Sequence, residues 1–424
     1  MKPLELIAKI EKGELDEQLK SIYITDNAVE EQKPRYIKTI NKFIRMFGED
    51  RDVVVLSAPG RTEICGNHTD HNNGKVLAAS INLDAIAVAS KSDKMLINEK
   101  SEGHALNEVD ISVLEPNEAD FGKSSSMIKG VAAGLKERGY EIGGFDACTT
   151  SDVMGGSGLS SSAAFEVLIG TIINHLYNDG KIDAVTIAKA AQYSENVYFG
   201  KPSGLLDQMA SSVGSFVTID FENTESPIIE KIDFDFAKSG YNLCIVDTHG
   251  NHSDLTDDYA AVRGEMEAVA QAMGAKVLRE IEFEDFLKAV PQLTSKVNDR
   301  AILRAMHYYN ENIRVEKAVD ALENNRFGDF IEQITESGRS SFMYNQNVYT
   351  PKNATEQKLS LALCIADSIL PNGYRVHGGG FAGTIQAFVE DSKLDEFKST
   401  MDAVFGKGSC YVLLIRPLGG ARVF

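Results

Sequence analysis

The chain has 424 residues and a formal net charge of −19, from 43 Lys and Arg against 62 Asp and Glu. That balance argues against a broad basic face for nucleic acid or an anionic membrane. Hydrophobic residues are 43% and charged residues 25%, as in a folded water-soluble protein, and the length exceeds one ordinary core, so two domains are expected. The five cysteines, Cys65, Cys148, Cys244, Cys364 and Cys410, are scattered and form no CxxC pair. Disulfide scaffolding and a thiolate zinc site are therefore poor readings, and mostly buried thiols in a reducing cytoplasm are the expectation.

In chain order, "MKPLELIAKIEKGELDEQLK" is amphipathic and charged. It predicts a helix over 1–20 and not a leader. Ile37, Ile40, Phe43, Ile44 and Phe47 give 30–47 helical periodicity. "VVVLSAPG" (53–60) reads as a strand running into a Pro-Gly turn, and "AIAVAS" (85–90) with "KMLINE" (94–99) as a strand pair. A helix over 126–140, a strand over 145–153 and a strand over 215–221 follow. The second half opens with a strand at 242–247. Helices are expected near 257–273, 283–289, 299–323, 327–337 and 356–369. A glycine-rich turn, a strand at 384–390, a helix and a last strand at 410–417 complete an α+β chain. The polar stretch "FENTESP" (221–227) is the expected boundary, giving domains 1–223 and 224–424. No apolar run reaches membrane-span length.

Two stretches carry chemistry. "MGGSGLSSSAAFEVL" (154–168) puts glycines and three serines directly ahead of a helix whose Ala164, Val167, Leu168, Thr171, Ile172, His175 and Leu176 share one face. Glycines let backbone N–H groups approach a ligand, and the helix start adds unpaired donors and partial positive charge. Together they make an anion seat, of which phosphate is the commonest occupant, and the hydroxyls can ligate Mg²⁺. Read alone, the run is equally an ordinary turn with a serine cap. It matches neither GK[ST] nor GxGxxG. In "APGRTEICGNHTDHNNGKVLAAS" (58–80), Arg61, Glu63, Asn67, His68, Asp70, His71, Asn72 and Asn73 crowd beside a strand. "HTDH" could be a metal cluster of His68, Asp70 and His71, although the spacing is not that of usual zinc sites. The alternative is a pocket for a hydroxyl-rich ligand such as a sugar.

These motifs resemble the GHMP small-molecule kinases and, among them, the galactokinases. "PGRTEICGNHTDHNNGKVLAASI" is similar to the sugar signature, "GGSGLSSSAAFE" to the phosphate-binding loop, and "VHGGGFAGTIQAFV" (376–389) to the C-terminal glycine motif. "AQYSENVYFGKPSGLLDQMASSVG" (191–214) and "RAMHYYNENIRVEKAVDAL" (304–322) add to the likeness. The resemblance implies an N-terminal lobe like a ribosomal S5 domain 2, a C-terminal ferredoxin-like lobe and an active site between them. It implies an ATP-dependent sugar 1-kinase using Mg²⁺, with D-galactose as the expected substrate. L-arabinose, galacturonate, N-acetylgalactosamine or a non-catalytic sugar and ATP sensor are the alternatives.

By the same resemblance Asp207 is the base and Arg61 its partner. Asn67, His68, Asp70, Gly204 and Tyr259 contact the sugar. Gly155, Gly156, Ser157, Gly158, Leu159, Ser160 and Ser161 wrap the triphosphate, Ser162 and Glu195 hold the metal, and the helix around Met127–Val131 lines the adenine. The expected partners are a small sugar and ATP, with no nucleic acid and no membrane, in a cytoplasmic monomer or weak homodimer. The chain departs from the family where Glu63 and Asn67 exchange the usual Asn and Glu, the latter a partner for the sugar's C6 hydroxyl. One reading has the two side chains bonded in the pocket with roles traded. Asn67 would then meet a hydroxyl, a C6 carboxylate or a sugar lacking C6.

Overall fold

A computed structural model describes residues 1–153, 155, 158–250 and 255–424. Three helices open the chain: α1 (Pro3–Glu11), α2 (Asp16–Tyr23) and α3 (Asp26–Phe47). The single helix expected over 1–20 is thus two, broken around Gly13, where the backbone turns left-handed.

Strand β1 (Val54–Cys65) pairs antiparallel with β2 (Lys75–Lys91). The expected Pro-Gly turn at 59–60 is instead a register shift inside β1, between Pro59 and Arg61, and the strand continues to Cys65. Such a bulge re-aims the side chains beyond it. Next come β3 (Leu96–Ser101), β4 (Leu106–Asp110), α4 (Ser124–Glu137) and β5 (Phe145–Ser151). The strands expected to pair at 85–90 and 94–99 do not touch as neighbours, because β5 lies between them, antiparallel to β2 and parallel to β3. Helices α5 (Ser161–Tyr177), α6 (Ala184–Tyr193) and α7 (Leu206–Val213) follow, with a π-helical turn at Ser194–Tyr198.

Strands β6 (Phe216–Asp220) and β7 (Ile228–Ile232) complete this part of the sheet, β6 against β2. Residues 221–227, the expected boundary, join these two paired strands of one sheet. The second sheet begins only at β8 (Tyr241–Asp247). Then come α8 (Thr256–Ala272), α9 (Phe283–Leu293), α10 (Asp299–Glu323), α11 (Phe327–Ser340) and α12 (Lys358–Ile369). Strands β9 (Tyr374–Val376) and β10 (Thr384–Glu390), helix α13 (Leu394–Phe405) and strands β11 (Cys410–Leu413) and β12 (Ala421–Arg422) end the chain. The second sheet has the order β11-β8-β10-β9, while β12 returns to pair with β1.

Strand alternation decides which face each residue serves. Val55, Ile86, Val88 and Cys148 pack under α1–α3. Leu56, Ala58, Ala87, Ala89 and Ala147 face the other way, toward α4–α6. In the second sheet Cys244, Val246, Ile385 and Ala387 meet α12 and α13, whereas Leu243, Ile245 and Phe388 join Phe330 and Ile334 of α11. Four cysteines are buried, Cys364 is exposed and all five are free thiols. No helix among the described residues is long and apolar enough to cross a membrane.

Candidate active site

The continued strand β1 carries Arg61, Thr62 and Glu63 into the space between the two sheets. Its end is held by buried polar side chains of the second sheet. Gln386 Nε2 donates to Thr62 Oγ1 at 2.6 Å and to the Glu63 carbonyl at 3.0 Å, and Arg375 Nη1 donates to the Ile64 carbonyl at 2.7 Å. His377 bridges Thr62 Oγ1 and Thr384 Oγ1 at 3.0 and 2.9 Å. Burial and the nearby Arg61 push that imidazole down to about 3, so it is neutral at physiological pH.

Arg61 grips Asp207, at the start of α7, with Nε on Oδ1 and a second nitrogen on Oδ2, each at 2.7 Å. Ser160 Oγ also donates to Asp207 Oδ2. Burial acts to raise the Asp207 pKa, but Arg61 and Ser160 outweigh it and hold the carboxyl below its ordinary value. Asp207 is therefore an ionised acceptor at neutral pH.

The glycine-serine run joins this pair. The Leu159 carbonyl accepts from the Arg61 N–H at 3.1 Å, and the Gly158 carbonyl accepts from the Arg61 guanidinium. Gly158 has φ +73, and a Cβ there would lie 3.3 Å from His377 Nδ1. Ser160, spent on Asp207, makes no cap bond to α5. The first N–H groups of that helix are left for an anion. Gly155 and Ser161 line a cavity of about 570 Å³ with Ser101, Glu102, His104 and Phe165. None of residues 127–131, expected at the adenine, is in that lining, and Met127, Ile128 and Val131 are buried. Gly156 and Ser157 lie outside the described residues.

On the other side of Asp207 is a smaller cleft of about 130 Å³, lined by Glu63, Gly66, His68, Asp70, Val76, Ser203, Gly204, Leu206 and Asp207. His68, Asp70 and Gly204 are thus brought together with Asp207. Two expected sugar contacts are not in this lining. Asn67 is 1% exposed, its Nδ2 donating to Glu63 Oε1 at 2.9 Å and to the Gly378 carbonyl at 2.8 Å, its Oδ1 accepting from Asn347 at 2.8 Å. Tyr259 donates to the Gly380 carbonyl at 3.0 Å and stacks edge-on against Phe381. His68 Nε2 donates to the Gly379 carbonyl at 3.0 Å. Burial and the neighbouring His71 push its imidazole down to about 4. The C-terminal glycine turn is therefore the clasp that holds this loop.

Beneath the loop lies Glu311 of α10, fully buried, accepting from the N–H groups of Gly66 and Asn67 and from Arg314 Nη1 at 2.9 Å. Burial acts to raise its pKa, but Arg314, His307 and Arg375 bring it to about 2. Sequence reasoning missed Glu311 as it missed Asn347, since both arrive from distant helices and turns. Among the described residues no three His, Cys, Asp or Glu side chains converge as a metal site, so "HTDH" does not form the cluster considered above.

The residues expected to hold magnesium fit a hard cation. Glu195 is nearly buried, its oxygens taken by Lys201 Nζ at 2.9 Å and Gln208 Nε2 at 2.8 Å. The Ser162 hydroxyl has no hydrogen-bond partner among the described residues. Gln208 also donates to Glu166 at 3.1 Å, one turn on from Ser162 along α5. Glu166 is pushed up to about 9 by burial and by Glu195. Carboxylate and hydroxyl oxygens such as those of Glu195 and Ser162 are the donors Mg²⁺ prefers.

The chain is similar to known proteins over most of its length. The galactokinase galactose-binding signature matches residues 41–91 and the GHMP kinase N-terminal domain residues 126–215. A galactokinase of Streptomyces coelicolor is 31% identical over 386 residues, covering 90% of this chain and 96% of its own. One from Actinobacillus pleuropneumoniae is 31% identical over 379 residues, covering 86% and 92%. Lactococcus lactis galactokinase complexed with galactose superposes with a TM-score of 0.74 at 25% identity, covering 90% of this chain and 98% of that one. A mevalonate kinase, 15% identical with a TM-score of 0.60, covers 85% of this chain and 98% of its own and shares the fold.

Proposed function

The chain belongs to the galactokinase family of GHMP kinases, and from that premise we propose that it transfers the γ-phosphoryl group of ATP to the anomeric hydroxyl of D-galactose, giving galactose 1-phosphate and ADP. The observation that carries this reading is the Arg61–Asp207 pair, which stands where the small polar cleft meets the glycine-serine loop.

The sugar lies in the cleft with its anomeric hydroxyl toward Asp207, whose carboxylate orients the hydroxyl and takes its proton. His68, Asp70 and the backbone at Gly204 bond the remaining hydroxyls. Loop residues 155–161 and the start of α5 hold the triphosphate, so that donor and acceptor oxygens come into line. Arg61, anchored on Asp207 and on the Gly158 carbonyl, offsets charge on the transferring group. Magnesium bound at Ser162 and Glu195 would supply further charge neutralisation on the phosphates. Tyr259 supports the glycine turn and Asn67 the sugar loop.

The test is ADP release with MgATP and a panel of free sugars. The expected result is turnover with galactose. Sugar-dependent thermal stabilisation with no ADP release would instead identify a sensor.

A further inference from the structure

We propose that Glu63, and not Asn67, decides which monosaccharides the cleft accepts, by presenting a carboxylate that admits neutral sugars and turns away those with a carboxylate at that end. The inference rests on the sugar-kinase reading above.

Arg61 and Glu63 are two residues apart on β1, and pairing with Ser80 and Ala78 is regular across them. They therefore share a face, about 6.6 Å apart along the strand. Arg61 marks the reacting end through Asp207, so Glu63 addresses a different part of the ring. Glu63 Oε1 accepts from Asn67 and faces Arg375 Nη2 at 3.6 Å. Its Oε2 has no hydrogen-bond partner among the described residues, and the side chain is 16% exposed in the cleft wall. Asn67 has spent both amide hydrogens and its oxygen on protein partners. It has little left to offer a hydroxyl.

The charges complete the argument. Glu63, Asp70 and Asp207 line the cleft, against one neutral imidazole, His68. The Arg61 fork is committed to Asp207, and Arg375 is fully buried behind Glu63. Among the described residues that line the cleft there is no cation to receive a substrate carboxylate. A hydroxyl, in contrast, can donate to Oε2. Burial pushes the Glu63 carboxyl up, while Arg375 and Asn67 work to keep it charged.

The experiment compares kcat/KM for galactose and galacturonate in the wild type, Glu63→Gln, Glu63→Asp and Asn67→Ala. The wild type should strongly prefer galactose. Glu63→Gln should raise the galacturonate-to-galactose ratio by about tenfold or more, since it removes a like charge. Glu63→Asp, which keeps the charge, should retain the exclusion, and Asn67→Ala should move the ratio clearly less than Glu63→Gln does. An unchanged ratio in folded Glu63→Gln overturns the proposal, as does Asn67→Ala moving the ratio equally. If Glu63→Gln does not fold, loss of the exclusion in Glu63→Asp overturns it and its retention supports it. A wild type that phosphorylates no sugar refutes the kinase reading itself. Galactose turnover with an unmoved ratio refutes only the role of Glu63.

Discussion

Arg61 and Asp207, 146 residues apart in sequence, meet through two parallel hydrogen bonds of 2.7 Å. A fork of this kind fixes the carboxylate plane as well as its charge. If Asp207 is the general base, Asp207→Asn should lower kcat by about a hundredfold or more while sugar affinity largely survives. Steady-state kinetics beside calorimetric sugar binding checks this. Normal turnover in the variant removes Asp207 from the role.

The same pair sets a pH dependence. Asp207 acts when ionised, and its pKa is held below the ordinary carboxylate value although burial pushes it up. The acid limb of the rate profile should therefore lie below about 3.9 where the fold survives. In Arg61→Gln the burial effect stays and the opposing cation goes. The limb should then move to higher pH. An unmoved limb in residual activity would show that Arg61 does not tune this carboxyl.

Gly158 takes φ +73 with His377 close behind. Gly158→Ala places a Cβ in a backbone region that L-residues disfavour, at a cost of about 1 kcal/mol or more. The loop should seat the triphosphate poorly, so kcat/KM for ATP should fall about tenfold while thermal stability changes little. Equal loss of stability and activity would mean that the glycine serves the fold alone.

Glu311 supports the loop at Gly66 and Asn67 from below, with a folded-state pKa near 2. Its unfolded value is near 4.3, so its stabilisation is present above that pH and is lost as pH falls from about 4.3 toward 2. At neutral pH the contribution is about 3 kcal/mol. Glu311→Ala, which strands the part-buried Arg314 without its counter-charge, should cost about 3–5 kcal/mol. Denaturant unfolding at pH 7 and across the acid range measures both.

Where chemistry sits in one contiguous motif, it was legible in the sequence. Arg61, His68, Asp70 and the glycine-serine run each stand in a short stretch of telling composition, whereas Asp207 was reached only through the family resemblance. What was not legible depends on segments far apart. The strand at 145–151 slips between 85–90 and 94–99 by a parallel pairing that no local pattern announces. Pro59-Gly60 carries turn chemistry, yet neighbours on both sides keep β1 extended through a bulge. "FENTESP" looks like a linker because a hairpin loop has the same polar composition. Asn67 is expected at the sugar from its place in the family signature, and its burial against Gly378 and Asn347 was not readable because both partners are distant in sequence. Alternation along β1 from Arg61 was the available signal for Glu63.

The most direct measurement is the position of the new phosphate. Phosphorus and carbon NMR of the product formed from MgATP and uniformly carbon-labelled galactose locates it. The account predicts phosphate on C1, with one ADP released per sugar consumed. Phosphate on any other carbon, or ATP hydrolysis without sugar phosphate, would contradict the placement of the reacting hydroxyl at Asp207.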